Sequence, residues 1–294
     1  MKNTGNLFAM GAYIAWAIFP IYWKQLSGID ALQLSSHRIV WSLVVLVIWL
    51  VATGKLADFW RGAVTWANLQ VYGLAGVLLA ANWSIYVYAV TNGHIIETSL
   101  GYFINPLVSV LLGVVFLRER MRAYQWVAAF LAAAGVLYLS VTLGKIPTIA
   151  LGLAFTFGLY GFMKKRSSLN STYGLALETG VLFIPAFAYI AWSETTGVPS
   201  FLHSDLRTAL YLAGGGLVTT IPLLMFAQAA QRIPLSHLGF FQYVTPSATF
   251  LLGVFLYREP FDSTRLIGFA LVWAGLLVFV AESVFVMWRT EQTR

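Results

Sequence analysis

Ser99, Tyr102, Asn105 and Ser109 recur at helical spacing inside one long apolar run, which puts their hydroxyl and amide groups on one face of a helix. A second run repeats the pattern 140 residues later, with Gln242, Thr245 and Thr249 at the positions of Tyr102, Asn105 and Ser109. Such groups donate and accept hydrogen bonds but supply no strong nucleophile, so their chemistry is recognition of a solute. Interhelical hydrogen bonding is the competing reading, but Tyr and Gln are bulkier than it requires, which favours the walls of a wet cavity. A third run adds Asn82, Trp83 and Tyr86, with Asn82 and Tyr86 one turn apart; Trp16 and Tyr160 come from two others. Mid-span aromatic rings offer stacking and cation–π surfaces to an organic solute, or simply pack.

Ionisable groups are few within these runs. Glu97 and Glu178 are the candidates for carrying protons, and a structural ion pair between Glu97 and Arg38 is the preferred reading of the former. His94 and Glu97 together could instead form an acid–base pair near the outer face, the basis of an alternative reading as an integral-membrane enzyme. Lys24 and Lys164 stand at the ends of their runs, where a cation complements the helix dipole and snorkels to headgroups. Pro106 and Pro246 free the carbonyls of Tyr102 and Gln242, both on the polar stripes.

The elements that carry these residues are membrane helices. Of 294 residues 59% are hydrophobic and only 10% charged, against about 45–50% and about 25% in soluble domains. Ten apolar runs emerge, near 6–23, 34–53, 69–90, 95–117, 123–142, 147–163, 173–193, 208–230, 235–257 and 264–287. The first is too long and aromatic for a cleaved leader and reads as a retained span. With the amino terminus inside, twelve Lys and Arg fall on the cytoplasmic side and six on the other, so both termini are expected in the cytoplasm. The net charge of +7 fits loops at anionic headgroups, and no basic surface interleaved with aromatics points to nucleic acid.

The 140-residue offset extends well beyond the stripes. Leu100–Glu119 aligns without a gap on Phe240–Glu259, placing Pro106 on Pro246 and Arg118-Glu119 on Arg258-Glu259; further out it places Lys24 on Lys164, Arg38 on Glu178 and Gly135 on Gly275. The expected fold is therefore an all-α integral membrane protein of ten transmembrane helices, built as two five-helix repeats spanning 1–143 and 144–294. Five is odd, so the second repeat enters the membrane upside down, the inverted plan of many secondary transporters.

There is no GxxxxGK[ST] phosphate loop, no cysteine and no HExxH, so neither ATP hydrolysis nor a thiolate or zincin site is indicated and no cofactor is expected. The strings His37-Arg38, Trp41-Ser42, Asn82-Trp83, Glu97 to Leu107, Ala150 to Phe155, Tyr160-Gly161 and Leu238 to Tyr243 resemble the RarD family, within the EamA domain of the drug/metabolite transporter superfamily. That resemblance implies a basket-like bundle with its cavity lined by spans one, three, four, six, eight and nine. It moves Arg38 and Glu178, on spans two and seven, away from the solute. The expected protein is an exporter of small organic metabolites, amino acids or amphipathic drugs among them, working by alternating access. It is expected to sit as a monomer in a bacterial inner membrane, with the bilayer and a small solute as its partners.

Overall fold

The structure, a computed structural model, describes residues 2–92, 94–142, 144, 146–196, 201–251, 255 and 263–292. The helices run in order α1 Lys2–Trp23, α2 Ala31–Ala52, α3 Leu56–Asp58, α4 Trp66–Thr91, α5 Ile95–Leu117, α6 Ala123–Thr142, α7 Thr148–Arg166, α8 Ser171–Thr196, α9 Leu206–Arg232, α10 Leu235–Gln242, α11 Val244–Leu251 and α12 Ser263–Gln292. Among the described residues no strand occurs. The carboxylate of Asp30 starts α2, accepting from the N–H groups of Leu32 and Gln33 at 2.9 and 3.2 Å, as an N-cap should.

Among the described residues, eight helices are long and apolar enough to cross a membrane by length and composition. The sixth and ninth apolar runs of the sequence take other forms. Lys164, Lys165 and Arg166 fill the last turn of α7 and dilute its hydropathy. The ninth run is divided into α10 and α11, which meet at Tyr243. Pro246 has no N–H for the carbonyl of Gln242, and its ring crowds that oxygen, so the helix breaks there. Pro106 stands at the equivalent place in α5, which nevertheless continues unbroken from Ile95 to Leu117.

The helices gather into two compact units, and neither unit is one half of the sequence. One comprises Met1–Tyr88 with Met163–Arg232; the other comprises Ala89–Phe162 with Ile233–Arg294. In the first unit α2 pairs with α8: Gln33 Nε2 donates to Ser193 Oγ at 2.6 Å, and further along α2 Ile39 packs with Leu182 and Ala186. The partner number falls as the α2 number rises, so the two helices are antiparallel. In the second unit α5 and α10 behave likewise, Phe103 meeting Tyr243 and Gly113 meeting Ser236.

The α6–α12 contact adds a reciprocity. A Cβ on Gly135 would lie 2.7 Å from the carbonyl oxygen of Gly268, and one on Gly275 would lie 2.6 Å from that of Ala128. Gly275 and Gly268 stand 140 residues after Gly135 and Ala128, so exchanging the two helices maps one contact onto the other. Only a hydrogen in place of a side chain lets the backbones approach this closely, the way small residues work at membrane helix interfaces.

Arg118 and Glu119 close the end of α5. Arg118 takes the left-handed conformation, φ 53°, and turns the chain back. Glu119 then reaches the start of α10, accepting from the N–H groups of Leu235 and Ser236 at 2.7 and 2.8 Å and from Ser236 Oγ at 2.7 Å. A carboxylate at a helix N-terminus satisfies orphan donors and meets the positive end of the dipole. The second copy of this dipeptide, Arg258-Glu259, lies outside the described residues, as do Leu252 and Gly253.

Candidate functional site

In the second unit the two polar stripes meet. Gly239 lets α10 close on α5, because a Cβ there would stand 2.7 Å from the carbonyl oxygen of Pro106. Gln242, the last residue of α10, donates from Nε2 to Ser109 Oγ at 2.8 Å, in a fully buried contact. That bond commits the nitrogen end of the amide. The other end, Oε1, is buried with no hydrogen-bond partner, and so is Oδ1 of Asn105, one turn before Ser109 on α5. Both residues are more than nine-tenths buried. An acceptor left in that condition costs about 1–3 kcal/mol, and native proteins rarely leave one without cause.

Around them, Tyr102 is exposed, Thr245 is half-buried, and Tyr160 is buried beside Phe157 with ring centroids 5.8 Å apart. Tyr243 occupies the helix break and points its hydroxyl at the carbonyl of Phe103, 140 residues earlier, at 3.3 Å. Glu97 is buried; its Oε2 accepts from the N–H of Ile149 at the start of α7, at 3.4 Å, and its Oε1 is 3.9 Å from His94 Nδ1.

The first unit holds Trp16, Asn82, Trp83 and Tyr86. Trp16 packs against Tyr13 and Phe226, with ring centroids at 5.3 and 5.7 Å. Asn82 and Trp83 are half-buried, and Tyr86, three residues on along α4, is more exposed. Glu178 is fully buried and accepts from Lys164 Nζ at 2.6 Å, with Lys164 itself 1% exposed. Lys164 was expected to snorkel to headgroups. The carboxylate one helix away holds it inside instead, because a buried ammonium needs a close counter-charge. Arg38 is the residue that sequence reasoning set aside: its guanidinium lies over the Trp83 ring.

Comparison with known proteins places the chain in a family. The model of the EamA-like transporter family matches residues 3–141 and again 145–281. Protein RarD of Streptomyces exfoliatus is 41% identical over 286 residues, 96% of this chain and 90% of its own length. The uncharacterised transporter YojE of Bacillus subtilis is 41% identical over 285 residues, 96% of this chain and 95% of its own. Protein RarD of Escherichia coli is 37% identical over 290 residues, 99% and 98% of the two chains. One solved crystal structure superposes with a TM-score of 0.70 at 19% identity, covering 95% of this chain and 97% of the other, a likeness of fold alone. The chain belongs to the RarD family of EamA-like proteins in the drug/metabolite transporter superfamily, and is a multi-pass membrane transporter.

Proposed function

We propose that the chain is a secondary transporter that exports small organic metabolites across a bacterial inner membrane by alternating access. Ten spans, as two inverted five-span repeats with both termini cytoplasmic, are the architecture this reading uses. The antiparallel pairing of α5 with α10, and the reciprocal glycine contacts of α6 with α12, support it. Two similar halves of opposite orientation can exchange conformations, which gives inward-open and outward-open states of comparable energy. The absence of a nucleotide-binding loop from the sequence leaves solute or ion gradients as the energy source.

The observation that carries the reading is the pair of buried, unpartnered carboxamide oxygens of Asn105 and Gln242, on helices whose sequences repeat. Both are acceptors, so the solute that satisfies them brings a donor such as an ammonium, amide or hydroxyl group. Tyr102, Tyr160 and Thr245 supply rings and hydroxyls for binding in this unit, and Trp16, Asn82, Trp83 and Tyr86 are proposed as binding residues within the other.

Purified protein in liposomes loaded with labelled aromatic and branched amino acids tests the proposal. Solute flux without chemical change, lost in Asn105→Ala and Gln242→Ala, is the expected result. Release of a chemically altered product would favour the acid–base reading of His94 and Glu97, which stand 3.9 Å apart. Cysteine labelling at positions 118 and 258 tests the inverted architecture; both labels on one face of the bilayer would end it.

A further inference from the structure

Arg38 lies two turns into α2, in a segment otherwise apolar enough to cross a membrane. Its guanidinium carbon is 4.2 Å from the centre of the Trp83 ring and 5.1 Å from that of Trp23. Its Nε donates to Thr219 Oγ1 at 3.0 Å. Tyr86 stands one helical turn beyond Trp83 on α4. Trp23 ends α1, Trp83 belongs to α4 and Thr219 to α9. The charge is thus rooted in one helix and delivered among the side chains of three others.

A permanent cation inside a span is expensive and marks a functional position by default. The fold itself does not require one here. At the offset of 140 residues, Lys24 and Arg38 correspond to Lys164 and Glu178, so a formal charge of +2 in the first copy stands against zero in the second. The surroundings differ in the same sense. Trp23, Trp83 and Tyr86 correspond to Met163, Leu223 and Phe226, and Thr219 to Leu79. The two indole rings and the hydroxyl have no counterparts at the equivalent positions of the second copy.

We infer that Arg38 is the receptor for a carboxylate on the transported solute, and that the surrounding rings bind the aromatic or branched body of the same molecule. The inference rests on the transporter reading and narrows its substrate class to organic carboxylates. Rings stacked on the guanidinium and the Nε bond to Thr219 fix its plane. A fixed plane presents the in-plane donors in the fork geometry that matches a carboxylate at two points, which the point charge of a lysine does not.

The test is a set of matched acids and esters, phenylalanine and leucine each with its methyl ester, which keeps the ammonium and removes the carboxylate, added to the full-length protein in detergent. Thermal unfolding reads binding, since a ligand of the folded state raises the midpoint with concentration. The acids should raise the midpoint and the esters should not. In Arg38→Lys the apparent affinity for the acids should fall roughly tenfold or more, as loss of a charge-assisted bond implies, and in Arg38→Gln the shift should vanish. Equal response to acids and esters, no response to either acid, or an acid response that survives in folded Arg38→Gln protein would each overturn the inference. The wild-type comparison stands even if the variants fail to fold. In liposomes, flux of a neutral solute that persists in Arg38→Gln would overturn the carboxylate assignment and leave the transporter reading intact. Binding of acids through Arg38 with no flux of any solute would do the reverse.

Discussion

Lys164 with Glu178, and Lys24 with Arg38, occupy the same places in two copies of one sequence pattern, yet they handle charge in different ways. In the second copy the cation meets an acid at 2.6 Å, and both are sealed from solvent. In the first copy Arg38 is held by two indole rings and a hydroxyl, and remains half-buried. The buried pair closes polar groups on each other and fixes helices; Arg38 holds its charge beside rings that we propose bind a solute. The contrast separates residues whose loss should be read in stability from those whose loss should be read in transport.

The largest expected effect lies on the closed side. Glu178→Gln leaves a fully buried ammonium without its counter-charge and should cost about 3–5 kcal/mol, read as a large fall in the thermal unfolding midpoint or in yield. Replacing both Lys164 and Glu178 with methionine should recover most of that loss. Arg38→Met should cost less than about 2 kcal/mol in the same assay, the upper range for a cation–π contact, while abolishing acid binding. Equal destabilisation by Glu178→Gln and Arg38→Met would erase the distinction.

Glu119 is a second closed group, and its removal tests whether closure always reads as stability. Glu119→Ala strips charge-assisted bonds from two backbone N–H groups and a hydroxyl at the start of α10 and should cost about 2–3 kcal/mol in thermal unfolding. Asn105 belongs to the opposite class. Its Oδ1 has no partner, so Asn105→Ala should change stability by less than about 1 kcal/mol while lowering solute flux tenfold or more. A large loss of stability there would mean that the amide is structural.

The smallest effect is at the surface. The carboxyl of Asp205, just before α9, is held below the usual carboxylate range, first by a side-chain hydrogen bond with Thr208 and then by backbone N–H groups. A depressed folded-state value means that its contribution is present above the unfolded carboxylate range and is lost as pH falls through the folded one. Asp205→Asn should therefore flatten the acid end of the stability profile slightly, measured by unfolding midpoints between neutral and acid pH.

The stripes on the fourth and ninth runs were legible because helical period and a constant offset are local properties of the chain. The pairing of Gln242 with Ser109 was not, because it depends on how closely Gly239 lets two helices approach. The dipeptide Arg118-Glu119 was visible as a repeated motif, but its partner lies 116 residues away and no spacing rule finds it. Lys164 misled by position. An end-of-helix lysine reads as a snorkelling one until a neighbouring helix brings a carboxylate to it. Prolines at equivalent places gave the same expectation for both runs, yet the structure breaks only the ninth.

Apolar run lengths, the 140-residue offset and the face each polar residue shares with its neighbours follow from sequence alone, since they depend on helix geometry and transfer of side chains from water. Which polar groups satisfy each other and which are left without a partner was decided by tertiary structure. Hydrogen bonds and ion pairs act over about 3 Å, and residues more than a hundred positions apart come within that distance only when helices pack. The arginine set aside on its span number, and the two amide oxygens without donors, could be recognised only at that level.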